Sequence, residues 1–194
     1  MNLPTKLTVS RIVLSVIIII LMIFPFEAVD ISIPVLRCGV DISVKYIVCC
    51  ALFIIASFTD FLDGHLARKH NQVTDLGKML DAIADKLLVN PLLIIFASEG
   101  IINPIVPVVV VARDIVVNAI KMDAASHGKV VAAIGSGKIK TASLMVGMVL
   151  LFISDVPFVF INIRLDLFLI YFATLMSLIS MVQYYNLNKK LMKE

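Results

Sequence analysis

Charge is scarce in this sequence. Lys and Arg number 17 and Asp and Glu 14 among 194 residues, which makes 16% charged, where soluble domains carry about 25%. Hydrophobic residues reach 60% and the mean hydropathy is +1.03. A water-soluble domain of this length cannot hide that much apolar surface, so a soluble enzyme is excluded and lipid is the expected solvent. Cysteine is nearly absent: Cys38, Cys49 and Cys50 show no C-x-x-C spacing, and two lie in an apolar run. They read as small buried hydrophobes, and a disulfide framework is excluded. No internal repeat is evident. No small-residue cleavage site follows the first apolar stretch, and further stretches do follow, which argues against a removable signal peptide.

What is present is a series of six apolar stretches, at 12–26, 46–62, 87–98, 101–120, 141–154 and 167–187. At about 20 residues per membrane helix, six spans use roughly 120 residues and leave no room for a separate soluble domain. The expected fold is therefore all-α and integral to the membrane. It has six transmembrane helices, a short amphipathic N-terminal segment and a single domain over 1–194. Thirteen of the Lys and Arg residues lie at the two ends or in the connections 2–3 and 4–5, and only Arg37, Lys45 and Arg164 lie on the other side. This places both termini in the cytoplasm of a multi-pass plasma-membrane protein. The net charge of +3 and pI near 8.8 are explained by these orientation charges, without nucleic acid as a partner.

Spans 2 and 3 reach full length only if they include their carboxylates. Asp60 and Asp63 stand at i, i+3, and Asp81 and Asp85 at i, i+4, so each pair shares one helix face. A short connection would make the two helices antiparallel neighbours and let four carboxylates converge. Such a cluster repels itself unless cations sit among it, and oxygen-only ligands suit Mg²⁺, Mn²⁺ or Ca²⁺, with room for two ions. The alternative is a set of ordinary helix-end charges paired with Arg68, Lys78 and Lys86. Asp75 lies off the pattern and reads as a loop residue or a cap. Gly64 and Gly77 permit close approach of a ligand or of a facing helix, and Arg68 suits a phosphate beside the acids.

Together Asp60, Asp63, Gly64, Ala67, Arg68, Gly77, Asp81 and Asp85 form D-x-x-D-G-x-x-A-R-x8-G-x-x-x-D-x-x-x-D. This pattern resembles the signature of the CDP-alcohol phosphotransferases. The segments at 2–11, 112–114 and 137–141 extend the likeness, and are similar to the bacterial phosphatidylglycerophosphate synthases of that family. The resemblance implies that Asp60, Asp63, Asp81 and Asp85 bind two divalent cations, Mg²⁺ or Mn²⁺, and that Asp85 also serves as general base. It implies that Asp60, Gly64, Ala67, Arg68 and Gly77 line the CDP site, in a six-helix homodimer open to the cytoplasm. His65, Ala82 and Asp114 depart from the residues usual there, Tyr, Pro and Glu.

Span 4 carries Arg113 and Asp114 after at least twelve uncharged residues, and an intramembrane ionisable residue is a functional candidate by default. A local pair used only for packing is the alternative. With Lys138 and Lys140 at the start of span 5, Arg113 could hold an anionic acceptor, and the family likeness points to the phosphate of glycerol 3-phosphate. The expected reaction moves a phosphatidyl group from CDP-diacylglycerol to that acceptor and releases CMP. Serine, an inositol phosphate and phosphatidylglycerol are the competing acceptors, and a divalent-cation transporter the competing class. Lys121 and Lys129 read as solvated orientation charges. Tyr184 and Tyr185 read as an interfacial aromatic belt, and the Phe and Met residues of span 6 as packing and lipid contacts. His65, His70 and His127 receive no role.

Overall fold

Each apolar stretch becomes a helix, and each helix runs beyond its stretch into polar sequence. The computed structural model describes residues 3–37, 39–69, 75–127, 134–161 and 163–188, with 3, 4, 27, 61–69, 75, 76 and 78 described by their backbone only. Helix makes up 81% of the structure. In chain order the helices are α1 (Leu3–Ile23), α2 (Val44–Lys69), α3 (Asp75–Ser98), α4 (Ile105–Ser126), α5 (Gly135–Phe152) and α6 (Leu165–Asn188). A small antiparallel hairpin of β1 (Val35–Arg37) and β2 (Asp41–Ser43) follows α1 at the far end of the bundle. The polar N-terminal segment is not a separate element. It forms the first turns of α1, continuous with the apolar stretch. Helices α2 and α3 carry their aspartates within the helix, as the length argument requires.

The helices pack in a closed ring, in the order α1, α2, α5, α6, α4, α3 and back to α1. One expectation is corrected here. Helices α2 and α3 are not primary neighbours, because α1 packs against both and they touch each other only slightly. The reason lies on one face of α1. Thr5, Thr8, Arg11 and Ser15 recur at helical spacing and are all buried, continuing into buried Ile18 and Met22. The face that α1 turns inward begins polar and ends apolar, so it can serve a charged site at one end and the core at the other.

The core lies towards the opposite end. Phe152 of α5 meets Phe53 of α2 and Phe96 of α3, with ring centroids 5.8 and 5.0 Å apart, and Leu92, Met148 and Ile170 are fully buried around them. Cys49 and Cys50 are buried free thiols, as read. The outward faces stay apolar on every side: Ile20, Ile54, Ile94, Val108, Val146 and Leu175 are all exposed. A girdle of that kind is tolerated in lipid and not in water. Among the described residues, α1 from Thr5 and the whole of α6 are long and apolar enough to cross a membrane by composition alone. In α4 the charges of Arg113 and Asp114 interrupt the apolar run.

Two local devices set where the helices end. Gly100 adopts φ +75°, and Ile101 N–H then closes back on the Phe96 carbonyl at 3.0 Å, which terminates α3. Buried Asp155 accepts N–H groups from Leu165 (2.9 Å) and Asp166 (3.1 Å), capping α6 from across its loop. Arg164 in turn donates to both oxygens of Asp166, at 3.0 and 2.9 Å, and this pairing holds the guanidinium above its ordinary range.

Helices α5 and α6 approach closely at Gly147, where an added Cβ would meet Ile170 Cδ1 at 3.0 Å and Leu169 Cβ at 3.3 Å. Small residues let helix backbones close in this way. Gly147→Leu is expected to cost about 1–3 kcal/mol by overpacking, and Gly147→Ala less, because it adds a single methyl group. Thermal unfolding in detergent checks this, and a Leu variant as stable as the parent contradicts the packing.

Candidate active site

The polar end of the ring holds a cavity of about 560 Å³. Asp60 from α2 and Asp85 from α3 line it, opposite Arg113 and Asp114 from α4 and Lys138 and Lys140 from the first turns of α5. The acidic and the cationic groups, distant in sequence, therefore share one space. Lys86 and Lys121 also face it, so five cationic side chains stand against three carboxylates. The N-terminus of α5 opens on the same cavity through Ile134 and Gly137, and its dipole adds positive potential. The balance favours an anionic guest.

The carboxylate wall depends on Arg11, which the sequence marks as an orientation charge and as the end of the 2–11 segment of the family likeness, but to which it gives no site role. Arg11 of α1 is fully buried, and its guanidinium Nη1 contacts the carboxylates of both Asp60 and Asp81, the latter at 3.1 Å. Two acids on separate helices thus converge on one positive charge. This is a hard-oxygen donor set of the kind a divalent cation takes. Among the described residues no three His, Cys, Asp or Glu side chains stand close enough to hold a metal. Asp63 lies in the last turns of α2 with Gly64, His65, Ala67 and Arg68, and these five are described by their backbone only, so their side-chain roles lie outside the described residues. Gly77 stands one turn before Asp81 on α3, and Asp75 opens that helix. His70 and Lys129 also lie outside the described residues. His127 ends α4 with Nδ1 2.8 Å from the Asp123 carbonyl, away from the cavity lining.

The cationic wall is closely knit. Asp114 Oδ1 accepts from Arg113 Nη1 at 2.9 Å and from Lys140 Nζ at 3.0 Å. Arg113 is buried, and its Nε and Nη2 both donate to Ser180 Oγ on α6, at 3.0 and 2.7 Å. Stranding one of these buried charges would cost several kcal/mol, on the order of 3–5, so Asp114 is a counter-charge that allows Arg113 and Lys140 to coexist there.

Two assignments need correction. Tyr184 is not part of an interfacial belt: it is buried, its ring centroid lies 5.7 Å from Arg113 Cζ and 5.3 Å from Lys121 Nζ, and its hydroxyl accepts the Ile134 N–H at 3.2 Å. Tyr185, next to it, is exposed. Lys121 is exposed, as a solvated charge is, but it also lines the cavity and so is not independent of the site. Sequence reasoning also missed Lys86, Asn118 and Ser180. A signal existed for most of them. Asp114, Asn118 and Lys121 follow at i, i+4, i+7 on α4, and Ser177, Ser180 and Tyr184 at i, i+3, i+7 on α6. These are polar stripes on otherwise apolar helices, which lipid-facing positions would not carry.

The family model described as CDP-alcohol phosphatidyltransferase matches residues 1–183. Several relatives bear the name CDP-diacylglycerol–glycerol-3-phosphate 3-phosphatidyltransferase. The protein of Bacillus subtilis strain 168 is 36% identical, over 99% of this chain and 97% of its own length. That of Yersinia enterocolitica is 33% identical over 96% of this chain and 94% of its own length. That of Sodalis glossinidius is 33% identical over 78% and 76%. With the family model spanning nearly all of it and relatives aligned end to end, the chain belongs to the membrane-bound CDP-alcohol phosphatidyltransferase family of transferases.

Proposed function

We propose that this protein transfers the phosphatidyl group of CDP-diacylglycerol to glycerol 3-phosphate, yielding phosphatidylglycerophosphate and CMP. The observation that carries the reading is the single cavity in which Asp60 and Asp85 face Arg113, Lys138 and Lys140. Such a space can take two anionic substrates at once, one against each wall. The names of the full-length relatives support the same donor and acceptor. The proposal extends to one domain over 1–194 and a homodimer with six spans in the plasma membrane. Both termini and the site would face the cytoplasm, supported by the uneven distribution of Lys and Arg.

In this reading Asp60, Asp63, Asp81 and Asp85 hold two Mg²⁺ or Mn²⁺ ions, whose chemistry there is to neutralise the diphosphate and the departing CMP. Gly64, Ala67, Arg68 and Gly77 complete the nucleotide site. Arg113, Lys138 and Lys140 take the phosphate of glycerol 3-phosphate and orient its hydroxyl towards the donor. Asp85 accepts the proton of that hydroxyl as the new P–O bond forms and the bond to CMP breaks.

Asp85→Asn is expected to reduce CMP release by about 10²- to 10⁴-fold, the range for loss of a general base, while the protein still inserts and folds. Asp60→Asn, Asp63→Asn and Asp81→Asn should each abolish most turnover. Chelation with EDTA should stop the reaction, and Mg²⁺ or Mn²⁺ should restore it. Normal activity in any two aspartate variants, or activity that persists through thorough chelation, overturns the two-ion site.

Arg113→Gln or Lys138→Gln removes a charge-assisted contact worth roughly 1.5–3 kcal/mol, or about a 10- to 150-fold rise in KM for glycerol 3-phosphate with little change for CDP-diacylglycerol. Lys45→Gln is the control, since Lys45 bonds the Met22 carbonyl and Glu99 at the other end of the bundle. If the two cavity variants behave like Lys45→Gln, the acceptor assignment fails. Release of CMP with serine, and none with glycerol 3-phosphate, would replace it.

A further inference from the structure

Helix α6 contributes no charge to the cavity, yet two of its buried residues, Ser180 and Tyr184, meet Arg113 of α4. The Ser180 Oγ donates to the Ser177 carbonyl at 2.8 Å and accepts both the Nε and Nη2 hydrogens of Arg113. A hydroxyl has one proton and two lone pairs, so all three are used. Because the proton is committed to the α6 backbone, the lone pairs can face only the guanidinium.

Arg113 is constrained on three sides as a result. Ser180 takes one edge, Asp114 takes an Nη1 hydrogen at 2.9 Å, and the Tyr184 ring lies 5.7 Å from Cζ. A guanidinium carries five N–H donors, so one hydrogen on Nη1 and one on Nη2 remain. Donors held in that plane are suited to the oxygens of a phosphate monoester. Without the serine, Arg113 would keep its tie to Asp114 but lose the contact that orients its plane.

We propose that Ser180 is a positioning residue for acceptor recognition, setting the guanidinium of Arg113 for a phosphate monoester. This rests on the acceptor assignment made above. The competing account makes Ser180 a packing contact between α4 and α6, and that account changes stability without separating one substrate from the other.

The test uses the full-length enzyme in detergent, with KM measured for glycerol 3-phosphate and for CDP-diacylglycerol. Ser180→Ala is expected to raise KM for glycerol 3-phosphate on the order of tenfold, about one misdirected charge-assisted hydrogen bond. The maximal rate and the KM for the lipid donor should stay near those of the parent. Ser180→Thr, which keeps the hydroxyl, should restore the acceptor KM. Ser177→Ala is the packing control, because its Oγ is buried with no hydrogen-bond partner among the described residues, and it should leave both constants unchanged. If Ser180→Ala does not fold, Ser180→Cys carries the same test with a weak acceptor in place of a strong one. An unchanged acceptor KM overturns the proposal, as does a parallel loss of rate and of affinity for both substrates, or failure of threonine to restore. A raised KM in Arg113→Gln with none in Ser180→Ala removes this inference alone, whereas no effect in either removes the acceptor assignment beneath it.

Discussion

Arg11 is a fully buried cation in the first helix, and its guanidinium touches carboxylates carried by two other helices. Much of the site end follows from that contact. Helices α2 and α3 barely meet, so Asp60 and Asp81 owe their convergence to α1 standing between them. A charge taken out of water is costly unless a partner stays with it, and breaking such a pair costs about 3–5 kcal/mol. Arg11 therefore fixes the depth and rotation of α1 at this end, while Ile18 and Met22 fix it in the core. The same helix face does both tasks because its composition changes along its length.

The ring order turns this local pairing into a site. Helix α2 is adjacent to α5, and α3 is adjacent to α4. Each carboxylate-bearing helix thus lies beside a cation-bearing one, and the cavity forms where the two sets face each other. On the cationic side Asp114 plays the part that Arg11 plays on the acidic side, since it gives Arg113 and Lys140 a shared internal partner. Each wall carries its own counter-charge, so the opposing groups are not forced to collapse onto one another. Space is left for guests between them.

Much of this was legible in the sequence. Apolar runs give helices because lipid leaves the backbone no other partner for its polar groups, and all six were found where those runs lie. The carboxylate spacing pointed to Asp60, Asp81 and Asp85, which meet Arg11 or line the cavity, while the side chain of Asp63 lies outside the described residues. What could not be read was lateral order. A short connection between α2 and α3 suggested that they pack together, but connection length limits only how far apart two ends can be, and α1 fills the space between them. The same limit explains the residues that were missed. Ser180 and Tyr184 have meaning only beside Arg113, 67 positions away from Ser180 in the chain, and no local period reveals which helix a polar stripe will face. Arg11 could be counted for topology from sequence, but its acidic partners could not.

The arrangement also bears on why the charged groups gather on one side of the aromatic core. A lipid donor must keep its acyl chains in hydrocarbon while its headgroup reaches a soluble acceptor, which requires a site at the depth of the headgroups. The outward faces meet the first condition, with Ile54, Ile94 and Val146 exposed along the flanks. The second is met because buried Arg113 and Lys140 line the polar cavity and share Asp114, while buried Arg11 keeps Asp60 and Asp81 as its partners. Towards the opposite end, where the Phe53, Phe96 and Phe152 cluster fills the ring, the same charges would have no such partners and no access for a water-soluble acceptor. The change from polar to apolar along α1 therefore sets how deep buried charge can lie in this bundle.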